Sequence, residues 1–320
     1  MAVTVDQIER MMGVPPGTLD KTARILEAET GFTILRIPSR RGRFRRVVRL
    51  TTTLDSIIKG IRRSLEAQLS FVPRDCVHGC VKQRGILTNA RAHVGKKVVL
   101  RIDIRRFFES ISVSQVEDAL RTSEADPESS ALVARCTTLG GFLPVGFSTS
   151  PLLANMIFDG TDALLGDCAK SYSLSYTRYV DDLSFSGEHL DDQIRLEIEG
   201  VLRSQGWEIQ DRKTRFMRAG HAQYVTGLSV NDPNGPHIPR NMKRFLRLEV
   251  HHVVRSGFGA SVLGKRKLLG HINHVKHVDY DLGLELHDAI RSAGLLVGRP
   301  DDESPEDGLE LFWEDIGIDF

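Results

Sequence analysis

No run of apolar residues in this 320-residue chain approaches the roughly 18 that a membrane-crossing helix needs. The first residues, Met1-Ala2-Val3-Thr4-Val5-Asp6, also lack the apolar core of a secretory signal. Both absences point to a cytoplasmic protein without a membrane partner. Cysteine is scarce too. Cys76 and Cys80 form a Cys-x-x-x-Cys with no matching second pair, and Cys136 and Cys168 stand apart. That spacing is a poor zinc pattern, so reduced and mostly packed thiols are expected. An overall charge of one sign is lacking as well, since 43 Lys and Arg face 42 Asp and Glu. The balance hides an asymmetry: nine of the acids, and no Lys or Arg, fall in residues 301–320, which leaves residues 1–300 with 33 acids and a net charge of +10. A basic body suits a polyanionic partner, whereas a solvated acidic tail needs no function.

At 41% hydrophobic residues there is material for more than one core, and the length allows two or three domains. Two stretches carry chemistry. Tyr176-Thr177-Arg178-Tyr179-Val180-Asp181-Asp182-Leu183-Ser184-Phe185-Ser186 reads as two short strands with adjacent carboxylates at the turn. Adjacent aspartates repel, so a hairpin tip that presents both is costly without a cation, and magnesium favours such hard oxygen ligands. Upstream, Lys97-Val98-Val99-Leu100-Arg101-Ile102-Asp103-Ile104 reads as a buried strand that ends in an acid just before Arg105-Arg106-Phe107-Phe108. A helix follows, which Ser114 and Glu117 are placed to cap. Asp103, Asp181 and Asp182 together suit two metal ions about 4 Å apart, the arrangement that clamps the attacking and leaving oxygens in nucleotidyl transfer.

The Tyr-Val-Asp-Asp after Arg178, with Asp103 opening Asp-Ile-Arg-Arg-Phe-Phe, resembles the palm of reverse transcriptases. Asn89-Ala90-Arg91-Ala92-His93 is similar to the Asn-Ala-x-x-His signature of bacterial retron reverse transcriptases, and Val225-Thr226-Gly227 to their Val-Thr-Gly signature. The resemblance spans roughly residues 40–290. It implies an α/β (α+β) right-hand polymerase fold. An N-terminal helical segment would occupy 1–33, fingers and palm 34–230, a helical thumb 231–300 and the acidic tail 301–320. It further implies RNA-directed DNA synthesis with two magnesium ions, held by Asp103, Ile104, Asp181 and Asp182. Its partners would be deoxynucleoside triphosphates, a cognate RNA serving as template and primer, the DNA product and a toxin-like effector in phage defence. Another bacterial reverse transcriptase, of the group II intron type, and a non-catalytic RNA-binding scaffold are the competing readings. The first is disfavoured by the lack of an extension after the thumb, the second by the presence of all three carboxylates.

Thr4–Met12 and Thr18–Ala28 are expected as helices capped by Thr4 and Thr18, joined by Gly13-Val14-Pro15-Pro16-Gly17. A DNA-reading pair and a small buttressing bundle both fit them, although Lys21 and Arg24 are the second helix's only cations. Residues 34–50 read as an arginine-rich hairpin turning near Gly42, the expected fingers, and the helix 53–69 completes that part. Arg43 and Arg45 are placed to meet a triphosphate, because guanidinium forks bind phosphate oxygens in pairs. Asn89 and His93 share a helix face, open both to RNA contact and to an internal hydrogen-bonding role. Phe108 stands where related polymerases place an aromatic beneath the sugar of the incoming nucleotide, with plain core packing as its alternative.

Leu143-Pro144-Val145-Gly146 departs from the family's Leu-Pro-Gln-Gly at Val145, which removes an amide expected at the nascent base pair; Gly146 keeps its place in the nucleotide-binding loop. Ser150 is the expected cap of the helix that Pro151 begins. After a helix over 191–205, Lys213 matches the family's Lys-Thr as a candidate general acid. From Pro239, a helical wheel puts Arg240, Arg244, Arg247, His251 and Arg255 on one face and Met242, Phe245, Leu246, Val250 and Val253 opposite. Such a stripe suits a phosphate backbone. His271, His274 and His277 are expected at nucleic acid or on ordinary surface.

Overall fold

A computed structural model describes residues 3–39 and 43–296. The chain forms two compact bodies. Among the described residues, the larger comprises 3–38, 43–85 and 97–216, and the smaller is built mainly from 86–96 and 217–296. The expected turn at Gly42 and the acidic tail lie outside the described residues.

In the larger body α1 (Val5–Met12) opens with a capping box between Thr4 and Gln7. α2 (Thr18–Glu27) starts differently from expectation: Gly17 occupies the cap position, and Thr18 is already helical. The buried Glu9 of α1 replaces a local cap, its carboxylate accepting from Gly17 N at 2.9 Å and Leu19 N at 2.8 Å. A charge at a helix N-terminus joins the two helices into one unit that packs on the rest of this body. β1 (Phe32–Ser39) and β2 (Arg43–Leu50) pair as a two-stranded sheet, followed by α3 (Thr52–Gln68).

α4 (Ile86–Arg91) belongs to the smaller body, and the chain then returns to the larger with β3 (Val98–Asp103). α5 (Val113–Thr122) is capped by Ser112 with Gln115, not by Ser114 and Glu117, because only Ser112 has the extended backbone that lets its hydroxyl accept from the third helical N–H. α6 (Pro127–Thr137) and the long α7 (Ser150–Ser171) follow. Ser150 is not the cap of α7; its hydroxyl donates to the Pro144 carbonyl at 2.8 Å and ties the preceding loop to the helix. β4 (Ser175–Tyr179) and β5 (Asp182–Gly187) form a hairpin, α8 (Asp192–Ser204) covers it, and β6 (Arg215–Arg218) completes a sheet of order β4-β5-β3-β6. All strand pairs around β5 are antiparallel.

β3 and β5 are buried almost end to end, so their side chains read as near-continuous core and not as alternating strands. Leu100, Ile102, Leu183 and Phe185 are fully buried there. Phe107, Phe158 and Trp207 pack as a ring cluster with centroids 4.7–5.6 Å apart beside this sheet. Burial of such rings contributes on the order of 2–3 kcal/mol each.

In the smaller body β7 (Tyr224–Val225) and β8 (Leu228–Ser229) make a tight hairpin. It is followed by α9 (Arg240–Ser256), α10 (Gly264–Val278) and α11 (Tyr280–Ser292). Met242, Leu246, Val250 and Val253 of α9 pack with Leu268, Ile272 and Val275 of α10 in a separate core. Among the described residues no helix is long and apolar enough to cross a membrane.

Candidate active site

The buried run of β3 ends at Asp103, and its antiparallel register with β5 makes Asp103 the direct partner of Asp182. Paired residues on adjacent strands lie about 4.5–5.5 Å apart, so two carboxylates are forced together by strand pairing alone. Asp181 joins them from the turn before β5, where its carbonyl accepts from Ile104 N at 2.9 Å. Ile104 also bridges to Ile209 on its other side, and Gln210 N donates to the Asp103 carbonyl at 2.8 Å. The backbone around Asp103 is thus fixed from both flanks.

Burial, and then the charges of Asp103 and Asp182, push the Asp181 carboxyl up to about 7. Burial also raises Asp182, against the opposing pull of Arg101, which donates to it from Nε at 2.7 Å. Lys213, on a single turn over Asp211–Lys213, places Nζ 2.8 Å from Asp103 Oδ2. With two cations facing three carboxylates, the site keeps unbalanced negative charge, and the donors are all hard oxygens, the set that suits a divalent cation. Asp103 is turned to Lys213 and Asp182 to Arg101, and among the described residues no three acids, histidines or cysteines converge closely enough to hold an ion as they stand. Asp103, Asp181 and Asp182 are the groups that would hold a divalent cation there.

Phe107 and Phe108, adjacent in sequence, differ in position. Phe107 is core, 3% exposed, whereas Phe108 is half-buried on a single turn over Phe108–Ser110 with its ring 5.4 Å from that of Phe107. On β2, Arg45, Arg46 and Arg49 are exposed; of Arg43 only the strand backbone is described. β2 docks on the Pro144-Val145-Gly146 loop through Val48 N, which donates to the Val145 carbonyl at 2.8 Å. Gly146 takes φ +116°, and a Cβ there would lie 2.2 Å from the Val48 carbonyl oxygen. The glycine is therefore required by the approach of two backbones. Val145 contributes through its carbonyl, which any residue supplies.

The smaller body joins two of the sequence strings. Thr226 and Gly227 form the β7–β8 turn with φ of +46° and +77°. The Thr226 hydroxyl donates to the Ile86 carbonyl at 3.1 Å and accepts from Asn89 Nδ2 at 3.5 Å. Asn89 is 1% exposed and His93 fully buried, so both side chains sit behind the surface, where direct contact with RNA is closed to them. On α9 the structure puts Arg240, Arg244, Arg247, His251 and Arg255 on the exposed face. Arg247 lies 3.3 Å from Glu285, an exposed pair of little energetic weight. The histidines of α10 differ from expectation: His271 is buried and His274 half-buried, and burial lowers both to about 4, whereas His277 is exposed. His271 therefore lies with the apolar face of α10 and is not available to a surface ligand.

Sequence reading passed over Asn155, Asp162 and Gly79. All three gather around Arg178 and the carboxylate turn. The only sequence signal was the spacing of Asn155 and Asp162, seven apart and hence on one face of α7.

A family model described as "Reverse transcriptase (RNA-dependent DNA polymerase)" matches residues 39–270. The retron Mx65 reverse transcriptase of Myxococcus xanthus is 30% identical over 275 residues, which cover 79% of this chain and 64% of that one. The retron Mx162 reverse transcriptase of the same organism is 28% identical, covering 72% and 54%. The chain thus spans between half and two thirds of the length of these relatives. Among solved structures, apo telomerase from Candida tropicalis has a TM-score of 0.50 at 12% identity, over 82% of this chain and 56% of that one, a likeness of fold alone.

Proposed function

The chain belongs to the reverse transcriptase (RNA-dependent DNA polymerase) family, and from that premise we propose that it copies RNA into DNA at Asp103, Asp181 and Asp182. The observation that carries this reading is the strand register that brings Asp103 beside Asp182, with Asp181 in the adjoining turn. Two divalent cations, taken here as magnesium, would supply charge neutralisation for the attacking hydroxyl and the leaving pyrophosphate. Asp103, Asp181 and Asp182, with the backbone at Ile104, are the groups that would hold them. Lys213, with Nζ 2.8 Å from Asp103 Oδ2, is the candidate general acid for the leaving group. Arg101 orients Asp182 and opposes the rise that burial imposes on its carboxyl. Phe108 stands ready to exclude a 2′-hydroxyl on steric grounds, and Arg43, Arg45 and Gly146 belong to the fingers side that receives the triphosphate. Residues 34–230 serve as fingers and palm and 231–300 as thumb. There α9 offers Arg240, Arg244, Arg247 and Arg255 to a phosphate backbone, and Asn89 braces the Val225-Thr226-Gly227 hairpin through Thr226.

The similarity to retron enzymes supports a finer reading. A cognate structured RNA would serve as template and, through the 2′-hydroxyl of an internal guanosine, as primer, in a defence system with a separate effector. The test is expression with the native flanking RNA. DNA joined to RNA through a 2′,5′ linkage is the expected product. Only free, unbranched DNA would overturn the retron reading and leave the polymerase standing, while no extension of an annealed primer in magnesium would overturn the polymerase.

A further inference from the structure

Val180, at the tip of the β4–β5 hairpin, takes φ +59°. A β-branched residue adopts this left-handed conformation only where its surroundings impose it. The surroundings here are built for that. Arg178 is fully buried; its Nη1 donates to the Val180 carbonyl at 3.1 Å and to Asn155 Oδ1 at 3.0 Å. Its Nε and Nη2 donate to Asp162 at 3.0 and 2.6 Å, Tyr176 donates its hydroxyl to the same carboxylate at 2.6 Å, and Phe158 lies under the guanidinium at 4.5 Å. Asn155 Nδ2 reaches the Gly79 carbonyl at 3.4 Å. Gly79 abuts the turn so closely that a Cβ would lie 2.4 Å from Val180 N and 2.7 Å from its Cγ2. The segment that carries Gly79 is stitched to β4 by His78 N to the Arg178 carbonyl at 2.8 Å and Arg178 N to the Cys76 carbonyl at 2.7 Å.

A buried arginine–aspartate pair is weak as a source of stability, since apolar replacements of similar volume are often neutral or better. Its distinctive property is geometric: Arg178 fixes the carbonyl of the one residue that sits between β4 and Asp181, and Asn155 joins that arginine to the backbone pressed on the turn's other side. We propose that Asn155, Arg178 and Asp162 are positioning residues that hold Val180 at positive φ and so fix where Asp181 presents its carboxylate to divalent cations. The proposal rests on the polymerase reading above and assigns these residues no contact with substrate.

The test uses the full-length protein with Asn155→Ala. Magnesium dependence of primer extension, primer–template affinity, Tm, and the rise in Tm with manganese in the presence of a non-extendable primer and nucleotide are measured. The magnesium needed for half-maximal extension is expected to rise by about tenfold, a factor equivalent to about 1.4 kcal/mol. The manganese-induced rise in Tm should shrink, with primer–template affinity unchanged within about twofold. Adding Val180→Gly, which takes positive φ without steric cost, should recover most of the metal response without restoring the Tm. A lowered Tm with an unchanged metal response, or a metal response that Val180→Gly leaves unrescued, overturns the proposal. Should Asn155→Ala fail to fold, Asn155→Ser, which keeps an acceptor for Arg178, is read by the same criteria. Absence of extension in the unaltered protein would count against the polymerase reading instead, and the manganese response of variant against parent would still decide the positioning role.

Discussion

Lys213 Nζ and Asp103 Oδ2 meet at 2.8 Å, although 110 positions separate them in the chain. The ammonium lies against the Asp103 carboxylate, so under the polymerase reading lysine and metal would compete for Asp103. Lys213→Ala should therefore lower the maximal extension rate by about a hundredfold, within the range of general acid catalysis, without raising the manganese needed in a binding titration. A rate unchanged by the substitution, at saturating metal, would remove Lys213 from the chemistry.

Asp181 makes an opposite demand on stability and function. Its folded-state value of about 7 lies above the ordinary 3.8, so the folded protein resists losing that proton. The unfolded chain releases it first, and stability conferred by Asp181 must fall as pH rises from near the ordinary value towards the raised one. Metal-free protein should accordingly lose Tm over that interval relative to Asp181→Asn, and the variant should be the more stable of the two at pH 8. Divalent cation should restore the parent and leave the variant unmoved. Asp181→Asn should also abolish DNA synthesis while leaving RNA binding intact, measured by extension and by filter binding.

Gly146→Ala tests the docking of β2 on the loop before α7. The new methyl would meet the Val48 carbonyl oxygen at 2.2 Å, on a backbone already at φ +116°. Relief requires the loop and β2 to part, at a cost of roughly 2–4 kcal/mol. The expected result is a Tm lowered by several degrees, with Val145→Ala near neutral because only its carbonyl is used. Equal Tm values for the two variants would contradict this account.

The exposed arginines of α9 predict a salt-dependent affinity. Arg244→Glu with Arg247→Glu should weaken RNA binding and lower the log–log salt slope by roughly 0.7–0.9 for each phosphate no longer neutralised. Extension of a pre-annealed primer at low salt should fall far less. A salt slope identical to that of the parent would place these residues outside the nucleic-acid surface.

What could be read from the linear chain depended on how local each signal was. Asp103 at the end of a β-branched run and Asp181-Asp182 between two short strands are local strings, so both strands and the hairpin were legible. The amphipathic pattern of α9 was equally so, because a helix repeats its face every few residues. Caps were read less well. Thr18 looked like one, but Glu9, a residue on another helix, took the exposed N–H groups of α2. Asn89 and His93 were expected on one helix face, but the helix ends at Arg91, so His93 lies in the turn beyond it, and Asn89 is set by Thr226, 137 positions away.

By itself the sequence determined the chemistry on offer: three carboxylates on strand-forming segments, a basic body, an arginine stripe, and a lysine downstream. Those are properties of residue type and short-range periodicity, which neighbours along the chain settle. Tertiary structure alone decided that Asp103 falls opposite Asp182, that Lys213 reaches Asp103, and that a buried Arg178 and a side-chain-less Gly79 hold Val180 in a strained turn. Strand register and close backbone approach are set by how distant surfaces pack, and a one-residue slip in either strand would separate the same acids without changing a letter of the sequence.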